Sequence, residues 1–266
     1  MEKRSRRETF LMNARERFQK VMDYEPVDRI PVMALEPYEQ TALERWRNEG
    51  YIPGFSPEDT LGMDRFTRVP VSFSPFPQYD HKVLFEDDET IIETERTYGS
   101  VVKRLKSAPS MYYGHLEHTV KTFEDWKRAR ERYDAGLATR FPVNMDCIAE
   151  QLNHSQNPVS LLVFPHFFRL GFYLMGMERF MLAFHDEPAL IHDMFGFWND
   201  FTLKLARPFL ATAKIDCLIL MEDLAYNNAP HVSPAVYKEF WLPYQDLLVK
   251  ECKRHGVKTI CLWTAG

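Results

Sequence analysis

The stretch His255-Gly256-Val257-Lys258-Thr259-Ile260-Cys261-Leu262-Trp263-Thr264-Ala265-Gly266 decides how the chain is read. Residues 234–255 before it carry long side chains at helical spacing. A helix, a glycine stop and a short apolar strand are the repeat unit of an α/β protein. In a barrel of alternating strands and helices the reactive groups stand at the C-terminal ends of the strands, so residues 262–266 fall where chemistry is expected. Such a repeat continues into a further helix, and the ending therefore reads as a cut.

Working back from that unit, the second half of the chain is regular. Val159-Ser160-Leu161-Leu162-Val163-Phe164 and Cys217-Leu218-Ile219-Leu220-Met221 are apolar runs of strand length with little polar alternation, the pattern of parallel strands covered on both faces. Helices are expected over 177–184, behind Gly176, and over 188–214, opened by Pro188. Strand and helix in alternation predict a parallel sheet joined by crossovers.

The first half is less uniform. Ser5-Arg6-Arg7-Glu8 has the form of a capping box, and Phe10, Leu11, Ala14, Phe18, Val21 and Met22 recur at helical spacing behind it. Residues 27–35 predict a first strand, led by Asp28-Arg29 and ending at Glu36-Pro37-Tyr38. Helices are expected over 41–50 and 57–62. From 82 to 105 the period changes to two, with turns at Asp87-Asp88-Glu89 and Tyr98-Gly99-Ser100, which predicts a three-stranded antiparallel meander inserted into the α/β chain. A helix over 122–133 follows, started by Thr122.

Composition restricts the function classes. The 266 residues are 45% apolar and 27% charged, and 33 Lys plus Arg against 38 Asp plus Glu give a net charge of -5. No basic surplus points to nucleic acid, and no apolar run approaches the length of a membrane span. Cys147, Cys217, Cys252 and Cys261 form no CxxC pair and follow no apolar leader, which predicts free thiols in the cytoplasm. A single domain over 1–266 is expected, and an incomplete barrel would expose strand edges through which it could form a homodimer.

Several segments resemble a known family in order and spacing. These are Ala14-Arg15-Glu16-Arg17-Phe18, Glu25-Pro26-Val27-Asp28-Arg29-Ile30-Pro31-Val32, Leu174-Met175-Gly176-Met177-Glu178-Arg179-Phe180, Asp186-Glu187-Pro188, and Ser233-Pro234-Ala235-Val236-Tyr237-Lys238-Glu239-Phe240 with Pro243-Tyr244. Together they resemble the uroporphyrinogen decarboxylase superfamily. The resemblance implies a TIM-type (β/α)8 barrel, here C-terminally truncated and carrying the meander near 82–105. The superfamily holds cofactor-free decarboxylases of porphyrinogens and zinc-dependent methyltransferases that serve a corrinoid protein.

The residues separate these branches. The decarboxylases are similar to one another in an arginine-rich first strand that grips carboxylates, whereas here Met33-Ala34-Leu35-Glu36-Pro37-Tyr38 stands in that place. In the methyltransferases the last strand ends in histidine, spacer, cysteine and glycine, two of them zinc ligands. Here Trp263, Thr264, Ala265 and Gly266 replace them, so zinc is not expected. Cys261 alternates onto the face of Trp263, and a lone strand cysteine reads as core.

Candidate chemistry therefore rests on strand ends. Glu222 and Asp223 follow an apolar strand and point to opposite sides, so one of the two faces the mouth. Either could accept a proton or orient a methyl donor, or else serve as a helix cap or ion-pair partner. His166, after Phe164-Pro165, is a third catalytic candidate. Glu36, Tyr38, Asn227 and Trp263 are candidates for substrate binding, Trp263 by stacking on a flat donor. The resemblance implies methyl transfer between a small methylated donor and a cobalamin held by a separate corrinoid protein. The alternatives are porphyrinogen decarboxylation and a non-catalytic accessory barrel.

Overall fold

The computed structural model describes residues 11–264, apart from 36–37, 53, 55 and 109–112. The N-terminal part contributes helices α1 Ala14–Met22, α2 Gln40–Asn48 and α3 Pro57–Leu61, then the two-residue strand β1 Thr67–Arg68. Four short strands follow, β2 Val83–Glu86, β3 Thr90–Thr94, β4 Val101–Leu105 and β5 Tyr113–Glu117. Helices α4 Phe123–Arg130 and α5 Met145–Asn153 lead to β6 Val159–Val163, then α6 Phe167–Met175, α7 Met177–Asp186 and α8 Pro188–Thr212. After β7 Cys217–Met221 come α9 Pro234–Val236, a π-helical turn Tyr237–Trp241, α10 Leu242–Arg254 and β8 Thr259–Trp263.

Two sheets result. β1, β6, β7 and β8 form a four-stranded parallel sheet in that order, with Leu161 opposite Leu218 and Met221 opposite Trp263. β2 to β5 form a separate antiparallel sheet in sequence order. The described strands therefore make an open four-stranded parallel sheet with edges at β1 and β8, a mixed α/β arrangement in which the described residues hold only part of the truncated barrel expected from the sequence.

Other differences have local causes. The first helix begins at Ala14, because Asn13 and Glu16 form the capping box and residues 11–13 are not helical; the box expected at residues 5–8 lies outside the described residues. The strand expected over 27–35 is reduced to one parallel bridge, Met33 to Asp64. Pro31 lacks a ladder donor, and Asp28 and Arg29 are drawn into ion pairs: Arg17 binds Asp28 and Asp64 at 2.7 Å, and Arg29 binds Asp64 at 2.7 Å. The meander has a fourth strand, β5, paired to β4.

Period two explains the layering of the parallel sheet. Leu161, Val163, Leu218 and Leu220 face the helices, where Trp198, Phe167, Phe180, Phe195 and Trp241 are fully buried. Phe167 stacks on Phe195 at 4.5 Å between ring centroids. Each such ring withdraws enough apolar surface to contribute about 1.5–3 kcal/mol. Leu162, Ile219, Met221, Cys261 and Trp263 alternate onto the other face, packed with Phe18, Met33 and Phe66. Between α6 and α7, Gly171 lies so close to Phe180 that an added Cβ would come within 2.2 Å of its ring.

The antiparallel sheet is anchored on α6. Tyr98 stacks on Tyr173 at 4.5 Å, and the Val120 N–H donates to the Leu174 carbonyl at 2.8 Å. The meander thus braces the helix that carries the residues described next. Among the described residues no helix is long and apolar enough to cross a membrane.

Candidate functional site

The adjacent acids after β7 divide between two environments. Glu222 continues the parity of Leu218 and Leu220 and enters the helix layer, with no exposure to solvent. Its Oε1 accepts from His166 Nδ1–H at 2.6 Å and from Trp241 Nε1–H at 2.9 Å. Its Oε2 accepts the backbone N–H of Phe168 at 2.7 Å. Phe168 lies in the first turn of α6, whose N-cap residue His166 makes no side-chain cap. Glu222 therefore caps α6 from a distant segment, satisfying a donor that the helix cannot satisfy itself. The same carboxylate ties β7 to α6 and to the π-helical turn bearing Trp241.

Asp223 continues the parity of Ile219 and Met221 and emerges at the C-terminal end of the opposite face. Its side chain is 35% exposed and pairs with Arg169 Nη2 at 2.9 Å. The Arg169 guanidinium lies over two rings, 4.9 Å from the centroid of Trp263 and 5.4 Å from that of Phe164. Its Nη1 is 3.5 Å from the Tyr173 hydroxyl, one helical turn along α6. A carboxylate, a guanidinium and two aromatic faces thus converge where β6, β7 and β8 end. Such a group can orient a polar donor beside a stacking surface.

His166 and Glu222 are brought together, but as a buried network. Asp223 and Trp263 are brought together through Arg169. Tyr38 is set elsewhere: its hydroxyl donates to Met63 Sδ at 3.7 Å, its ring meets Trp46 edge-on at 5.4 Å, and burial raises its phenol pKa. Asn227 is exposed at the tip of a turn closed by the Tyr226 N–H donating to the Ala229 carbonyl at 3.0 Å. Glu36 and Ala265 lie outside the described residues.

Arg169, Phe164 and Tyr173 were not foreseen as site residues. A signal for Arg169 was present. It is the lone charge in Phe167-Phe168-Arg169-Leu170-Gly171-Phe172-Tyr173-Leu174-Met175, and a charge in so apolar a helix must be paired.

Among the described residues no three His, Cys, Asp or Glu side chains converge as metal ligands do. Cys261, the thiol nearest the end of β8, packs with the apolar layer, and burial raises its pKa. A cleft of about 780 Å³ opens at the opposite end of the sheet, between α1 and the N-terminal ends of β7 and β8. Its Arg15 is spent on structure, binding Asp216 at 2.9 Å and the carbonyls of Leu152 at 3.1 Å and Lys214 at 2.8 Å.

No family model matches the chain, and no curated protein matches it. Among solved structures, a methyltransferase from Methanosarcina mazei is similar in fold. It is 15% identical, with a TM-score of 0.52, over 94% of this chain and 70% of that one. The fold is thus a mixed α/β arrangement of the kind that methyltransferase has.

Proposed function

We propose that the protein is a member of the uroporphyrinogen decarboxylase superfamily that moves a methyl group between a small methylated donor and a corrinoid protein docking over the ends of β6, β7 and β8. One observation carries the reading: Asp223, Arg169, Trp263 and Phe164 converge at the strand ends of a fold that a methyltransferase shares. In this mechanism the flat face of a donor such as a methoxylated aromatic lies against the Trp263 side of the mouth. Asp223 accepts a hydrogen bond from the donor's polar group, and Arg169 holds Asp223 in place. The corrinoid supplies the methyl-accepting metal when its protein docks. Glu222 and His166 act indirectly, by fixing the first turn of α6 and with it Arg169.

Arg169 at the mouth also favours a second reading, decarboxylation of a porphyrinogen-like substrate, because a guanidinium recognises carboxylates. Its pairing with Asp223 weighs against that reading, since a negative charge already occupies one edge of the fork.

A spectroscopic titration separates the readings. The protein is mixed with cob(I)alamin and offered methoxylated aromatics, methylated amines and methylated thiols in turn. Donor-dependent formation of methylcobalamin is expected, at least tenfold slower in Asp223→Asn and in Trp263→Ala. Turnover of a porphyrinogen with no corrinoid change would establish the decarboxylase instead. Silence in both assays would leave a non-catalytic accessory protein.

A further inference from the structure

The antiparallel sheet meets α6 through two histidines that the mouth cluster does not use. His115 on β5 and His118 just after it stack at 4.8 Å between ring centroids, with their planes 24° apart. His115 also meets two α6 rings, Phe172 edge-on at 5.9 Å and Tyr173 at 6.4 Å. No ladder of strand bonds joins the two described sheets. The seam with α6 rests on this ring packing, on the Tyr98–Tyr173 stack and on bonds to two α6 carbonyls. His118 Nδ1 at 3.1 Å and Ser100 Oγ at 3.4 Å reach the carbonyl of Tyr173, and the Val120 N–H reaches that of Leu174 at 2.8 Å.

The two rings hold their protons differently. A carbonyl only accepts, so His118 Nδ1 carries a hydrogen. The Cδ2–Nε2 edge of that ring lies against Gly176, where an added Cβ would come within 2.6 Å. His115 Nδ1 is buried and has no hydrogen-bond partner among the described residues. A neutral imidazole accommodates this by leaving that nitrogen unprotonated. A charged one cannot, because both nitrogens then carry N–H and a buried donor without an acceptor is costly. The surroundings offer no compensation. Tyr113 on β5 meets His115 at 5.2 Å, and burial raises the pKa of Tyr113 and of Tyr98, so these phenols stay neutral. The charge of Glu95 reaches both phenols, but its carboxylate already accepts the N–H groups of Thr97, Tyr98 and Ser100 at 2.6–3.2 Å. On β4, Val102 stands opposite His115, and Arg104, opposite Tyr113, is paired with Glu93 at 2.9 Å. Glu117 at the end of β5 pairs with Lys121 at 2.8 Å. Burial, and then the neighbouring His118, lower the pKa of His115. The folded chain thus resists a proton that the unfolded chain accepts near 6.5, so the seam is at full strength above that value and weakens as pH falls below it.

We propose that the His115–His118 pair is a pH-sensitive latch: protonation of His115 in mildly acidic solution releases the antiparallel sheet from α6 while the parallel sheet stays folded. An imidazolium at His115 places a donor where nothing accepts and, once His118 is charged as well, a like charge one ring away. Opening the seam lets both reach water. The device does not depend on the reaction at the mouth, although α6 carries Arg169 and the opened seam loosens the helix that positions it.

The test is amide hydrogen exchange of the full chain, read residue by residue by NMR at about pH 7.5 and about pH 5.5 and corrected for the intrinsic pH dependence of exchange. Protection of the Val120 amide, whose bond to Leu174 crosses the seam, is expected to fall about fivefold or more at the lower pH, while the amides of β7 keep theirs. His115→Phe keeps a ring and removes the titrating nitrogen, and is expected to hold Val120 protection level between the two pH values. His115→Gln takes its place if circular dichroism shows that the phenylalanine variant does not fold. Equal protection of Val120 at both pH values in the parent overturns the proposal. So does a fall of the same size in the neutral variant, or one shared equally by β7, which would be unfolding of the whole chain.

Discussion

Glu222→Gln separates a structural role from a catalytic one. Glutamine keeps one oxygen and replaces the other by an amide NH2. With the oxygen turned toward His166 and Trp241, the NH2 faces the Phe168 N–H, which Glu222 accepts at 2.7 Å. One charge-assisted bond is lost, at about 1.5–3 kcal/mol, and a buried N–H is orphaned, at about 1–3 kcal/mol. Rotating the amide the other way strands Trp241 Nε1–H, now satisfied at 2.9 Å, so neither orientation escapes. The net cost is about 3–5 kcal/mol, the range for breaking a buried charged network. For a chain of this size that lowers Tm by about 6–20 °C. Asp223→Asn, at a carboxylate 35% exposed, is expected to cost less than about 1 kcal/mol while slowing the proposed methyl transfer at least tenfold. Urea unfolding followed by circular dichroism measures both. A Glu222→Gln protein within about 1 kcal/mol of the parent would refute the assignment of Glu222 as the remote cap of α6.

Other outcomes follow from the same geometry. Arg17, chiefly by its hydrogen bonds, holds the Asp28 carboxyl well below the usual carboxylate range, helped by the N–H groups of Met12 and Arg29. A depressed folded-state pKa gives stability that is present above the ordinary value near pH 4 and is lost as pH falls below it. Unfolding measured at pH 7, 4 and 3 should therefore show an acid-side decline that Asp28→Asn flattens. Gly171→Ala drives a Cβ into the Phe180 ring and is expected to cost about 1–3 kcal/mol in thermal melts. Burial pushes the thiols of Cys217 and Cys252 up to about 12, while Cys147 is exposed. A thiol reagent at neutral pH should label Cys147 first and reach Cys217 and Cys252 only on unfolding, as peptide mapping would show.

Sequence alone determined the elements whose signals are local. The apolar run 217–221 is strand β7 with the expected limits, Pro188 opens α8, and Thr122 caps α4 through the Asp125 N–H at 3.2 Å. Caps, proline and side-chain periodicity act within a few residues, so they are written in the chain order. Strands that form because a neighbour offers an edge left no such mark. Thr67–Arg68 is two residues long, and Tyr113–Glu117 contains Gly114 and His115 yet completes the meander against β4. Alternation also showed that Glu222 and Asp223 must part to opposite faces. Which face is dry was decided by the tertiary structure, through the helices that cover one side and the solvent that reaches the other. His166, Phe168 and Trp241 arrive from other elements to make Glu222 a cap, and Arg169 arrives with Trp263 to make Asp223 part of a mouth. A carboxylate's role is set by the donors around it, and packing brought those donors from segments far apart in sequence.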